Sequence, residues 1–215
     1  MFKDMRTLFG AYLIIAGILI GLQQFGFLGG EWDEIFFGGL WALGAIYFAG
    51  LYRQNRTQWW FGFVALLLAG LTLANLLDLL VPAIGNLVGG AIFLGMIGVG
   101  FLVAYSRNKS SWWAIIPAGV MFSLAAVSIA DALPEKLPFD EGGLLFLGIG
   151  LTFLVLSFVT VNGERLSWGI FPAIVLIGFG LFVALGQAAA WNIIWPSLLI
   201  LFGLYFLVNS LLRRA

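Results

Sequence analysis

The sequence predicts an all-α integral membrane protein: eight transmembrane helices arranged as four repeated antiparallel hairpins. Three observations predict it. The first is composition. Of 215 residues, 62% are hydrophobic and 9% charged, with a mean hydropathy of +1.08. A soluble domain carries roughly 25% charged residues, so the solvent for this surface is lipid. The second is the alternation of charge between apolar stretches. The third is a set of short words that recur at similar spacings along the chain.

A helix needs about 20 apolar residues to cross the hydrocarbon core. Stretches near that length run over 8–28, 35–52, 58–80, 83–105, 111–132, 142–161, 167–186 and 192–212. The first follows Lys3 and Arg6, as the apolar region of a signal peptide would. Its length exceeds the usual 7–15 or so residues of such a region, and no small-x-small cleavage site follows. It reads as an uncleaved span. Between the third and fourth, Pro82 marks the break, because the residue before a proline is pushed out of the helical region. Connections this short make successive helices antiparallel neighbours.

The loops on one side hold Lys3, Arg6, Arg53, Arg56, Arg107, Lys109, Arg165, Arg213 and Arg214; on the other, Lys136 is the only basic residue. That second side holds Glu31, Asp33, Glu34, Asp78, Asp131, Glu135, Asp140 and Glu141. Basic residues in short loops mark the cytoplasmic face, so both termini are expected there. Trp59, Trp60, Trp112, Trp113 and Trp168 begin spans on the basic side, and Trp32, Trp191 and Trp195 lie near the other. These are positions an amphipathic indole favours.

Asn55-Arg56-Thr57-Gln58-Trp59-Trp60 matches Asn108-Lys109-Ser110-Ser111-Trp112-Trp113. Trp113-Ala114-Ile115-Ile116-Pro117-Ala118 matches Trp168-Gly169-Ile170-Phe171-Pro172-Ala173. Phe37-Gly38-Gly39-Leu40, Val88-Gly89-Gly90-Ala91 and Glu141-Gly142-Gly143-Leu144 open the second helices, with Trp195-Pro196-Ser197-Leu198 in the fourth place. The expected repeats are 1–52, 53–106, 107–161 and 162–215, within one membrane domain and stacked or in a ring. Gly39, Gly90, Gly143 and Ser197 are expected to pack helices, since small residues let backbones approach in lipid. Gly17 with Gly21, and Ala45 with Ala49, have the same four-residue spacing. Pro117 and Pro172 are expected to bend their helices near the basic end.

The last stretch, Trp191-Asn192-Ile193-Ile194-Trp195-Pro196-Ser197-Leu198-Leu199-Ile200-Leu201-Phe202-Gly203-Leu204, ends in Arg213-Arg214. It resembles the helical hairpins of the LiaI/LiaF-like transmembrane family, where a Trp-Pro-Leu word opens the second helix and an arginine pair closes it. The resemblance implies a bacterial cytoplasmic membrane protein, in a family associated with envelope-stress signalling and with membrane modules of unknown role. No soluble domain is expected after the spans, so output through one is not implied here.

Cysteine and histidine are both absent. That excludes disulfides and thiolate chemistry, and removes the commonest metal ligand and general base. No phosphate-binding glycine loop, no nucleophile beside a base and no basic–aromatic nucleic-acid patch is present. No enzyme activity, cofactor, metal or nucleic-acid partner is expected. Asp78 and Asp131 each fall 18 residues after a tryptophan (Trp60 and Trp113). That is about 27 Å along a helix, nearly the core thickness, so both lie at the far interface. Gln24, Asn75 and Gln187 lie at similar depth and complete a possible outer polar cluster. Tyr12, Tyr47, Tyr105, Tyr205 and Asn209 read as anchors towards the basic ends. The acidic loop from Glu135 to Glu141 reads as a solvated face, since its spacing resembles no calcium loop.

The reading is a non-enzymatic scaffold or regulatory partner of another membrane complex, meeting other membrane proteins or itself by lateral helix contact. The alternative is a small transporter or lipid-handling protein with a cavity among the hairpins, lined by the outer polar cluster.

Overall fold

The computed structural model describes residues 2–27, 31–133, 140–161 and 163–185, with 196, 199–200 and 203. The eighth expected span, 192–212, and with it Gln187 and Ser197, lie outside these apart from those single residues.

Among the described residues seven α-helices follow in order: α1 (Phe2–Gln24), α2 (Glu31–Gln54), α3 (Trp59–Leu80), α4 (Pro82–Arg107), α5 (Ile115–Ala132), α6 (Glu141–Ser157) and α7 (Ile170–Ala184). Five stretches are long and apolar enough to cross a membrane: Glu34–Gln54, Trp59–Leu80, Pro82–Arg107, Trp112–Ala132 and Ser167–Ala184. The apolar parts of α1 (Gly10–Gln24) and α6 (Glu141–Ser157) are shorter. The chain is therefore a helical, multi-pass membrane protein by length and composition. Eight full-length spans were expected; the described residues supply these five.

Each boundary has a local cause. α1 stops at Gln24, short of the expected 28, because Gly26 turns left-handed (φ 73°). The Gly26 amide donates to Gln23 O and the Phe27 amide to Leu22 O, the paired bonds of a Schellman motif. Between α3 and α4 only Val81 lies outside a helix, at φ −143°, ψ 74°. Pro82 opens α4, where its missing N–H has no partner to lose. The corner is so tight that a Cβ on Gly85 would meet Asp78 N and Cα at 2.6 Å.

Two expectations needed correction. Pro117 and Pro172 do not sit inside continuous helices. A 3₁₀ turn comes first, Trp112–Ala114 before α5 and Ser167–Gly169 before α7. Each proline is then the third residue of its α-helix. In that first turn an amide has no intrahelical acceptor, so proline costs little. Nor does the sixth element reach 161. α6 ends at Ser157, and Thr160–Val161 (β1) pairs antiparallel with Glu164–Arg165 (β2). The sequence signal was Asn162-Gly163 between β-branched and extended residues; Gly163 takes φ 88°.

Helices pack on their sequence neighbours. α3 with α4 forms the broadest contact, α1 with α2 the sparsest, and among the described residues no helix packs substantially beyond its neighbours. Among the described residues the helices therefore follow one another in a row. The seams are lined by small residues: Gly85, Gly89, Ala91, Gly98, Gly100 and Ala104 are the buried residues of α4, and Ala173, Gly180 and Ala184 those of α7. Phe48, Leu51 and Leu68 pack between α2 and α3, but many other large side chains point outwards, with Phe171 76% exposed and Ile46 70% exposed. That inversion of a soluble core is what lipid permits, because a leucine gains nothing by leaving it.

Candidate functional site

Antiparallel packing sorts the charged residues to the two ends of the row. At one end α2, α4 and α6 finish while α3, α5 and α7 begin, bringing Arg53, Arg56, Arg107, Lys109 and Arg165 to the same side. Aromatic rings form a band beneath them. Trp59 meets Trp113 edge-on at 6.2 Å, and Trp112 meets Trp168 at 6.0 Å. Phe63, Phe101 and Phe153 extend the band. Three of these cations lie on rings: the Lys109 Nζ stands 4.0 Å above the Tyr105 ring, and the Arg165 guanidinium 5.3 Å from that of Phe158. Arg107 Nε donates to the Tyr52 hydroxyl at 2.6 Å while the guanidinium lies over the same ring. Tyr52 was not singled out from the sequence. Its position one residue before Arg53, at the end of a span, was the available signal.

At the opposite end the structure brings together part of the expected polar cluster. Asp78, in the last turn of α3, lines a polar cleft of about 440 Å³ with Glu34, Leu79, Pro82 and Asn86. Asn75 lies one turn deeper, its side chain filling the space a Cβ on Gly38 of α2 would occupy. Gln24 and Asp131 sit exposed at the ends of α1 and α5 and do not line this cleft. Glu34 and Asn86 were not in the expected set; the α3–α4 corner brings in Asn86, and the packing of α2 on α3 brings in Glu34. Asp140 caps α6, its Oδ1 accepting from the Gly142 amide at 2.8 Å. Among the described residues no three carboxylates come close enough to hold a metal.

The glycines expected to pack helices differ from one another. A Cβ on Gly143 would meet Ala184 N at 2.5 Å, and one on Gly90 would meet only Ser128 Oγ, at 2.9 Å. A Cβ on Gly39 would meet nothing within 4 Å; its neighbour Gly38 is the one that faces α3. Nothing in the sequence picks out the α5–α6 seam. There a Cβ on Gly119 would run into Thr152, and one on Gly148 into Ser123. The two four-residue words, Gly119 with Ser123 and Gly148 with Thr152, thus oppose each other. Both hydroxyls are satisfied within their own helices: Ser123 Oγ donates to Gly119 O at 2.7 Å, and Thr152 Oγ1 to Gly148 O at 2.9 Å.

Beside that seam runs an apolar groove of about 560 Å³, bounded by Leu102 of α4, by α5 from Ile115 to Ala126 and by α6 from Leu144 to Val155. None of the expected outer polar residues lines it. No family model, curated protein or solved structure matches the chain.

Proposed function

We propose that this chain is a non-enzymatic scaffold or regulatory partner that works within the membrane by lateral helix contact. The observation that carries the reading is the single row. A helix in a row has surface left over after meeting its neighbours, and among the described residues much of it is apolar. On α7, Phe171, Ile174 and Val175 are more than half exposed; on α2, Leu43 and Ile46 are. Such faces suit lipid, and equally a second set of helices.

The finer organisation belongs to the same proposal: eight spans as four hairpins, termini on the cytoplasmic side, in a bacterial cytoplasmic membrane. The matched 3₁₀ openings before Pro117 and Pro172 and the gathering of cations at one end support it. The likeness to LiaI/LiaF-like hairpins points to an envelope-stress setting. Partners would be other membrane proteins or further copies of the chain. The alternative, a transporter or lipid-handling protein, called for a continuous pocket or lateral groove reaching the midplane and lined by the outer polar cluster. The polar cleft at Asp78 and the apolar groove share no lining residue, which favours the scaffold.

The test is photo-crosslinking in membranes from single sites at Ile46, Ile174 and Val175. Discrete protein adducts at one face support the reading. Lipid adducts alone, with a chain recovered monomeric after mild detergent extraction, would overturn it.

A further inference from the structure

We propose that the groove beside the α5–α6 seam holds an acyl chain of an anionic phospholipid, whose headgroup meets Lys109 and Arg165. The proposal rests on the membrane setting and not on the scaffold role.

The groove's depth selects the occupant. From Ile115 to Ala126 is about 16 Å of helix, close to half of a hydrocarbon core of about 30 Å. Val155 and Leu144 bound the same length on α6. A groove one leaflet deep fits a lipid tail. A partner helix would cross the whole core and needs a trough about 10 Å wide. The lining suits hydrocarbon, since the Ser123 and Thr152 hydroxyls spend their protons on their own helices. The groove also opens sideways: Phe122 is 39% exposed, Leu151 54% and Val155 59%. A tail can therefore enter from the bilayer without threading an end.

Charge then selects the headgroup. Ile115 and Val155 lie at the aromatic, basic end of the row. Lys109 ends its turn six residues before Ile115, and Arg165 rests over Phe158, three residues beyond Val155. These cations stack on rings, and among the described residues none is paired with a carboxylate. Neutral rings orient a cation without cancelling its charge, so a phosphodiester arriving at this end meets uncompensated positive charge.

The experiment is native mass spectrometry of the purified full chain, offered phosphatidylglycerol and phosphatidylcholine in equal amounts. The wild-type chain retains phosphatidylglycerol preferentially. The pair Lys109→Gln and Arg165→Gln lowers that preference by about 5-fold per charge removed, whereas Lys109→Arg with Arg165→Lys keeps it. Ala126→Phe, which fills the groove, lowers retention of both lipids. Unchanged preference in the glutamine pair overturns the proposal. So does displacement of phosphatidylglycerol by glycerol phosphate alone, which would make the site one for a free anion. Ala126→Cys supplies the only thiol in the chain; a disulfide-linked dimer from it in membranes would seat a second copy in the groove and also overturn the proposal.

Discussion

Leucine at position 143 should destabilise the protein, and leucine at position 39 should not, although the two glycines stand in similar words of α6 and α2. At Gly143 a Cβ would stand 2.5 Å from Ala184 N and 2.6 Å from Ala184 Cα. Backbone cannot rotate away as a side chain can. Restoring an ordinary contact of 3.4 Å requires α6 and α7 to separate by about 0.9 Å at that point, and a gap of 0.5–1 Å forfeits about a quarter to a half of the dispersion well. The loss spreads along the seam, because Gly180 lies against Gly143 O and Leu147 N, and Gly150 against Ile177 N and Ala173 O. Overpacking of this kind costs about 1–3 kcal/mol. Gly143→Ala incurs the first clash without the longer side chain, and regains about 0.5–1 kcal/mol of helix preference, so it should do less harm. A Cβ on Gly39 meets nothing within 4 Å and the position is exposed, so Gly39→Leu should stay within about 0.5 kcal/mol of wild type. Gly90→Leu should fall between, since only the Ser128 hydroxyl must move. The assay is reversible unfolding in mixed micelles, followed by the fluorescence of the nine tryptophans. Equal stability of the Gly143→Leu and Gly39→Leu chains would refute the close-approach account.

Gly85→Ala should open the α3–α4 corner, because its Cβ meets Asp78 backbone; the same unfolding assay should register about 1–3 kcal/mol, and a silent substitution would discredit the corner geometry. Asp140→Ala removes the cap on α6 and should cost about 0.5–2 kcal/mol, with Asp140→Asn recovering most of it. Single cysteines in place of Ser110 and Ser167 should resist an impermeant thiol reagent in intact cells, whereas cysteines in place of Gly30 and Leu137 should react. Labelling of the first pair would reverse the proposed orientation.

The sequence by itself determined the solvent of this protein, the class of its fold and where most helices lie. Lipid tolerates so few charges that apolar runs and basic loops are read directly: the third stretch, expected at 58–80, is Trp59–Leu80. It also determined that Asp78 would lie at a helix end, because that follows from rise per residue alone. What it left open depends on distance between chain segments. The words at Gly39, Gly90 and Gly143 look alike, yet one faces open space, one a hydroxyl and one a backbone, because α2, α4 and α6 have different neighbours on each side. Composition is equally blind to the α5–α6 groove. Gly119, Ser123, Gly148 and Thr152 are ordinary small residues until two antiparallel helices set them opposite each other. The meeting of Tyr52 with Arg107, 55 residues apart, is likewise a product of the row. Local physics writes the helices into the chain, but the row, the seams and the cleft are settled by which small residues let which backbones come close.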